Sequence, residues 1–288
     1  FFSSRRRHTR FKCDWSSACA LPISRNVKLD PSADLSVIAR GTPGFSGAEL
    51  ANLLNEAALL AARQNKKAVT MKELEEARDK VRWGRERRSL AMSDEEKRDT
   101  AWHEAGHALV NVLLEHTHPL HKVTIIPRGR ALGLTMMLPE KDIHSQRRKN
   151  LLDDLAVTMG GRIAEEIVAQ DISSGAAGDI QMATQIARAM VCQLGMSDKL
   201  GMINYAGESE YFGGREIGRR TDYSEATARE IDDEVKRIID EAYARAKSII
   251  EANRDKLEAI AKALLEYETL DGAQVEEIVR TEIGRAHV

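Results

Sequence analysis

Five consecutive residues, His103-Glu104-Ala105-Gly106-His107, fit the pattern H-E-x-x-H. Two histidines four residues apart project from one face of a helix and can bind the same metal ion. Zn²⁺ accepts imidazole nitrogens, and a catalytic zinc site keeps one position open for water. Glu104 directly follows the first histidine, so its carboxylate can act as general base toward that water. The pattern therefore predicts a zinc hydrolase site on this helix.

A third protein ligand is needed, and spacing alone does not identify it. The extended motif H-E-x-x-H-x-x-G-x-x-H fails, because Val110 and Leu113 stand at its glycine and histidine positions. Glu165 and Glu166 lie in a predicted helix. Asp179 opens another helix after the small-residue loop SSGAAG, and a helix N-terminus stabilises a carboxylate. Three further histidines follow the motif: His116, His118 and His121. Spacing does not choose between Asp179 and Glu166.

The motif belongs to a predicted domain over 93–280 that is mostly helical with one small β-hairpin or sheet. A capping box at Ser93 begins the helix that carries the motif. The β-rich runs 121–127 and 132–139 predict a hairpin. The remaining predicted elements are a helix over 145–169 interrupted at Gly160-Gly161, a helix over 179–194, a loop over 207–218, two helices over 224–268 and a helix over 271–280.

A smaller helical unit is predicted over 26–82, with 83–92 as the linker between the two domains. Capping boxes at Ser46 and Thr70 begin its two main helices. The chain contains no G-x-x-x-x-G-K-[ST] loop, which cradles nucleotide phosphates in P-loop proteins. We therefore expect this chain to have no ATPase activity of its own.

Composition indicates a soluble protein. Apolar residues make up 42% and charged residues 31%, a mixture typical of globular proteins rich in surface helix. No apolar run approaches the ~20 residues that a membrane-spanning helix needs. The net charge of −2 argues against a nucleic-acid partner. Three cysteines without C-x-x-C spacing favour a reducing compartment over a disulfide framework.

The two ends of the chain differ from the rest. Residues 1–20 contain five basic residues against one acidic residue, and they hold two of the three cysteines. They show no helical or strand period and no apolar segment of the kind found in signal peptides. We expect 1–25 and 281–288 to be non-native or disordered segments outside both domains.

Several strings resemble the FtsH family of ATP-dependent zinc metalloproteases over most of the chain. In the smaller unit, GTPGFSGAEL and ANLLNEAALLAA are similar to the AAA+ lid subdomain of that family. In the larger domain, the similar strings are TAWHEAGHALV, HKVTIIPRGRALGLTMMLPE, GGRIAEEI, SSGAAGDIQMATQIARAMV and LGMSDKLG. The chain thus resembles a C-terminal fragment made of the lid and the peptidase domain.

The resemblance implies a specific set of site residues. It assigns the zinc ligands to His103, His107 and Asp179, and the catalytic carboxylate to Glu104. Metalloproteases commonly hold substrate as an added β-strand, and 132–138 is a candidate edge for it. The alternative is that this strand is simply part of the core.

For the parent protein, the resemblance implies a membrane-anchored homo-hexamer that uses ATP to degrade unfolded or misassembled proteins. In bacteria it would act at the cytoplasmic face of the inner membrane, and this soluble fragment would reach the membrane only through segments that it lacks. Gly47 and Ala48 match lid positions that pack against bound nucleotide. A non-catalytic oligomerisation or interaction module is the alternative function, and the intact HEAGH favours the enzyme.

Overall fold

The computed structural model shows a mainly α-helical protein. It describes residues 27–87, 92–129, 131–139, 145–170, 172–206, 208–212, 215–220 and 223–281, the two strands between 208 and 220 by their backbone alone. These residues include two compact units, one built from 27–87 and the other from 92–137 and 145–281. Within the described residues, no helix combines the length and the apolar character that crossing a bilayer requires.

The smaller unit consists of α1 (Leu35–Arg40), α2 (Gly47–Arg63) and α3 (Met71–Trp83). The predicted capping boxes at Ser46 and Thr70 are confirmed, since each residue exchanges hydrogen bonds with the glutamate three positions later. Its core is formed by Ile38, Leu53, Leu54, Ala57, Ala61, Val69, Leu74 and Ala77.

The larger unit contains six helices and five strands among its described residues. The helices are α4 (Asp94–Leu113), α5 (Arg148–Ala169), α6 (Ala177–Cys192), α7 (Glu225–Ala252), α8 (Arg254–Tyr267) and α9 (Gly272–Arg280). The strands are β1 (Leu120–Thr124), β2 (Leu134–Met137), β3 (Glu208–Phe212), β4 (Arg215–Arg220) and β5 (Thr269–Asp271). The predicted mostly helical architecture with a small sheet is confirmed.

The predicted break in α5 at Gly160-Gly161 is wrong, because the helix runs through both glycines. Each helical glycine costs about 1 kcal/mol relative to alanine. Gly160 lies against Gly106 of α4, and a Cβ on Gly160 would come within 2.6 Å of the Gly106 carbonyl oxygen. The glycines therefore allow close backbone packing of α4 on α5, which places the H-E-x-x-H helix directly against its neighbour.

The main sheet has three antiparallel strands in the order β2-β1-β5. Val123 of β1 pairs with Thr135 of β2 on one side and with Leu270 of β5 on the other. The predicted hairpin is thus confirmed, and β2 lies at an edge of the sheet. Strand β5 was not predicted, because three residues between two helices carry no readable alternation.

The predicted loop over 207–218 is also wrong in part. Strands β3 and β4 pair antiparallel there, with Glu208 opposite Arg220 and Phe212 opposite Arg215. In the sequence, Gly213-Gly214 separates the two strands, and two glycines between β-prone runs are themselves a hairpin signal. The two glycines indicate the turn of a hairpin and do not indicate an unstructured loop.

Candidate metal centre

Two helices bring together three side chains of metal-ligating types, here called the metal-ligating group. His103 and His107 project from α4, and their Nε2 atoms lie 3.0 Å apart. Asp179 lies in the first turn of α6, with its Oδ2 3.1 Å from His103 Nε2 and 3.5 Å from His107 Nε2. Among the residues that the structure describes, these three are the one group of His, Cys, Asp or Glu side chains with the spacing of a metal site.

The Nδ1 atom of each imidazole makes a hydrogen bond to a protein oxygen. His107 Nδ1 lies 2.7 Å from the carbonyl oxygen of Val157, and His103 Nδ1 lies 2.6 Å from Glu165 Oε1. A carbonyl or carboxylate oxygen accepts a hydrogen bond, so each Nδ1 carries the proton. In the neutral rings both Nε2 lone pairs therefore point toward the Asp179 carboxylate. Three electron-rich atoms this close require a cation or a proton between them.

The carboxylates around His103 favour its protonated ring. Burial opposes the charged imidazolium of His103, but hydrogen bonds to the Asp179 and Glu165 carboxylates outweigh it and raise the pKa of His103 to about 10. Burial also opposes the Asp179 carboxylate, yet its contacts with His103 and His107 hold its pKa below the ordinary value. A bound metal would take the place of this proton, so metal binding and proton release are coupled.

The donor set and the space around it fit zinc. Zinc bonds of about 2.0–2.1 Å in a tetrahedral arrangement place neighbouring donors about 3.3 Å apart. The three observed donor separations, 3.0, 3.1 and 3.5 Å, lie on either side of this expected distance. Gly161 of α5 faces the two rings, and a Cβ there would lie 2.5 Å from His107 Nε2 and 2.6 Å from His103 Nε2. A glycine at this position therefore keeps open the space that the converging donors need.

Glu104 lies beside the metal-ligating group and is only 6% exposed. Its Oε2 accepts a hydrogen bond of 2.5 Å from the hydroxyl of Thr135 on β2. Burial raises the pKa of Glu104, against the lowering effect of the two nearby histidines. The carboxylate is thus held by the sheet and the helix together, next to the three donors.

The competing carboxylates have other partners. One carboxylate oxygen of Glu165 accepts a hydrogen bond from His103 Nδ1. The other accepts hydrogen bonds from the backbone N–H and the hydroxyl of Ser173. Glu166 accepts hydrogen bonds from Tyr243 and Lys247 of α7. Glu165 therefore orients a donor histidine and links it to the loop before α6, while Glu166 belongs to a helix contact. The other candidate histidines, His116, His118 and His121, lie outside the metal-ligating group.

Sequence reasoning missed three residues at this site: Gly161, Thr135 and Ser173. The glycine pair that includes Gly161 suggests a break in the helix, but glycines within a helix are also a signal of close packing. Thr135 and Ser173 carried no signal, because their roles depend on contacts between distant parts of the chain.

Gly47 and Ala48 belong to the smaller unit, at the start of α2. Both are exposed, and a Cβ on Gly47 would meet no atom within 4 Å. Their proposed role beside a nucleotide therefore rests on resemblance alone.

Comparison with known proteins identifies two families along the chain. The model for peptidase family M41 matches residues 90–278, and that for the AAA+ lid domain matches residues 32–76. The first match includes all of the metal-ligating group, and the second includes Gly47 and Ala48.

Curated relatives align with about nine tenths of the chain. It is 64% identical to the ATP-dependent zinc metalloprotease FtsH 2 of Methylacidiphilum infernorum, over 90% of this chain and 40% of that protein. It is 56% identical to the ATP-dependent zinc metalloprotease FtsH of Akkermansia muciniphila, over 89% of this chain and 32% of that protein. The chain thus spans less than half the length of these relatives. Since the M41 match alone covers more than half of the chain, the protein belongs to peptidase family M41.

Proposed function

We propose that this chain is the zinc-dependent endopeptidase module of an FtsH-type protease that degrades unfolded or misassembled proteins. The observation that carries the proposal is the convergence of His103, His107 and Asp179 beside the buried carboxylate of Glu104. The names of the curated relatives support the same activity.

The metal ligands in this proposal are His103, His107 and Asp179. Zn²⁺ bound there would polarise the peptide carbonyl and lower the pKa of water toward about 7. Glu104 accepts a proton from the water that attacks the carbonyl carbon, and then delivers it to the departing amine nitrogen as the C–N bond breaks. General acid–base catalysis of this kind contributes about 10²–10⁴ in rate. Glu165 keeps the His103 ring oriented through Nδ1.

Substrate in this proposal is an extended polypeptide that adds to the edge of the sheet at β2. Backbone hydrogen bonds of an added strand are independent of side-chain identity, as degradation of varied unfolded proteins requires. Thr135 on β2 touches Glu104, so a peptide along this edge would pass beside the proposed base. This geometry favours the substrate-binding role of 132–138 over a purely structural one.

The parent protein in this proposal is a membrane-anchored homo-hexamer at the cytoplasmic face of a bacterial inner membrane. ATP would drive substrate toward the peptidase sites, and the lid match supports a connection to an ATPase ring. Gly47 and Ala48 would lie against nucleotide in that ring. In domain terms, 26–82 is the lid, 83–92 the linker and 93–280 the peptidase, with 1–25 and 281–288 outside both.

The test compares zinc-loaded wild-type protein with Glu104→Gln on a quenched fluorogenic peptide that has no fold and so needs no ATP-driven threading. We expect wild-type hydrolysis to stop on zinc chelation and resume on zinc return. The variant should keep its zinc and lose about 10²–10⁴ in rate. Glu166→Gln is the matched control, because Glu166 bonds to α7 and should leave the rate unchanged.

Two results would overturn the proposal. Wild-type protein that binds zinc but cleaves no peptide would favour the non-catalytic interaction module. A Glu104→Gln variant that loses its metal would show that Glu104 is a ligand or a structural residue, and the general-base role would fail.

A further inference from the structure

Two neighbouring residues, Gly133 just before β2 and Thr135 within it, lie against the carboxylate of Glu104. Thr135 donates its hydroxyl proton to Glu104 Oε2 at 2.5 Å. Gly133 lies so close that a Cβ there would come within 2.6 Å of both Cγ and Oε1 of Glu104. Both residues therefore lie on the side of the chain that faces Glu104. This face of the strand is therefore shaped around one carboxylate.

We propose that Thr135 is a positioning residue that sets the orientation of the Glu104 carboxylate from the strand along which substrate binds. The inference rests on the function proposed above and extends it to a residue outside the H-E-x-x-H motif. Thr135 acts through Glu104 and does not itself touch the reacting atoms.

The need for such a residue follows from the burial of Glu104. A glutamate side chain has three rotatable bonds, and a buried carboxylate must be hydrogen-bonded to be stable. Within the described part of the chain, the Thr135 hydroxyl is the one hydrogen-bond partner of this carboxylate. With Oε2 engaged by Thr135, Oε1 is the oxygen left to accept a proton. Removing the hydroxyl releases the rotation of the carboxylate without touching a metal donor.

The same contact couples the base to the substrate strand. Thr135 is held in register by pairing with Val123, which is fully buried in the core. A peptide that adds to the edge of β2 opposite β1 would therefore lie on the same strand that aims the base. Substrate position and base orientation share one rigid element, which favours precise alignment of the attacking water.

The experiment uses the full zinc-loaded chain and the fluorogenic peptide described above. Thr135→Val removes the hydroxyl at nearly constant shape, and Thr135→Ser keeps it. Thr124→Val is the matched control: Thr124 is a buried threonine on neighbouring β1, and its hydroxyl contacts Thr269 and the carbonyl of Glu268. Kinetic constants and bound zinc are measured for each protein.

We expect Thr135→Val to lower kcat on the order of tenfold to a hundredfold, with bound zinc and KM unchanged, because a misaligned group costs rate and not binding. Thr135→Ser should restore most of kcat, and Thr124→Val should leave it at the wild-type value. Wild-type kcat in Thr135→Val, or a Thr135→Ser variant as slow as Thr135→Val, would overturn the proposal.

A second measurement is independent of activity and separates this inference from the proposed function. Melting temperatures are compared for Thr135→Val in the wild-type background and in a Glu104→Ala background. If the hydroxyl holds the carboxylate, the drop caused by Thr135→Val will be much smaller once Glu104 is absent. Equal drops in both backgrounds would overturn the contact even if no peptide were cleaved. If the drop in melting temperature depends on Glu104 but the wild type cleaves no peptide, the contact between Thr135 and Glu104 stands and only the proposed function is rejected.

Discussion

Gly161→Ala adds one methyl group at the point where the proposed zinc ligands converge. In most helix interiors this change stabilises the protein by about 1 kcal/mol, because alanine has the higher helix propensity. Here the new Cβ would lie 2.5 Å from His107 Nε2 and 2.6 Å from His103 Nε2. Non-bonded atoms normally approach to about 3.5 Å, so the rings must retreat by about 1 Å.

That retreat exceeds what a zinc site tolerates. Ligand distances must hold to within about 0.2 Å, and both rings are tied at Nδ1 by hydrogen bonds of 2.6 and 2.7 Å. The rings therefore cannot move as a pair without losing those bonds. Losing an outer partner of a ligand typically costs 10–100-fold in metal affinity. Displacing the ligands themselves should cost more than about 100-fold.

The assay is equilibrium dialysis against buffered zinc, with thermal unfolding of the metal-free and zinc-loaded forms. We expect Gly161→Ala to melt within a few degrees of wild type when metal-free, and to lose the rise in melting temperature that zinc causes in the wild type. Gly178→Ala is the control, because Gly178 adjoins Asp179 and a Cβ there meets no atom within 4 Å. It should bind zinc like the wild type.

Wild-type zinc affinity in Gly161→Ala would refute the reasoning. It would mean that the two Nε2 atoms are not the donors, or that α5 does not pack over them. A variant that fails to fold while Gly178→Ala folds normally would equally contradict the expectation that the methyl group acts on the metal site and not on the helix.

Three further predictions concern the same domain. Asp179→Asn should nearly abolish zinc retention in equilibrium dialysis, while Glu165→Gln should weaken it by roughly 10–100-fold; the reverse order would move the third ligand to Glu165. Gly160→Ala should lower the free energy of unfolding by about 1–3 kcal/mol in urea titrations, because its methyl group collides with the backbone of α4; unchanged stability would contradict the close helix contact. The Arg237 guanidinium outweighs burial and lowers the pKa of Glu234 from 4.5 to about 2. The stabilisation from the ionised Glu234 carboxylate is therefore complete above pH 4.5 and is lost as the pH falls toward 2. The free energy of unfolding should differ between wild type and Glu234→Gln by about 1–3 kcal/mol at neutral pH, and this difference should shrink as the pH falls from 4.5 to 2.

Local features of the site were predictable from the sequence. His103 and His107 are brought together by the helical period alone, and the capping box at Ser93 marks where their helix begins. Asp179 was different, because its approach to the two histidines depends on how α6 packs against α5 and α7. Spacing alone does not distinguish Asp179 from Glu166, and only the resemblance to the FtsH family favours Asp179.

The errors have a common physical cause. Gly160 is unfavourable in an isolated helix, but it allows two helix backbones to approach, and that gain is visible only in the tertiary structure. Strand β5 exists because β1 offers it hydrogen bonds, not because Thr269–Asp271 has a strong preference for strand. The local preference of residues for helix or strand predicted the long elements. It failed where packing between distant segments determines the secondary structure.

The separation of the proposed zinc ligands along the chain has a consequence for when the metal site can form. His103 and Glu104 are synthesised more than seventy residues before Asp179. A chain growing on the ribosome therefore presents Glu104 and the two histidines long before α6 exists to complete the set. Because a domain generally folds as a unit, the three-residue set cannot form until α6 has packed against α5 and α7. The topology of the site thus ties completion of the proposed metal centre to folding of most of the larger unit.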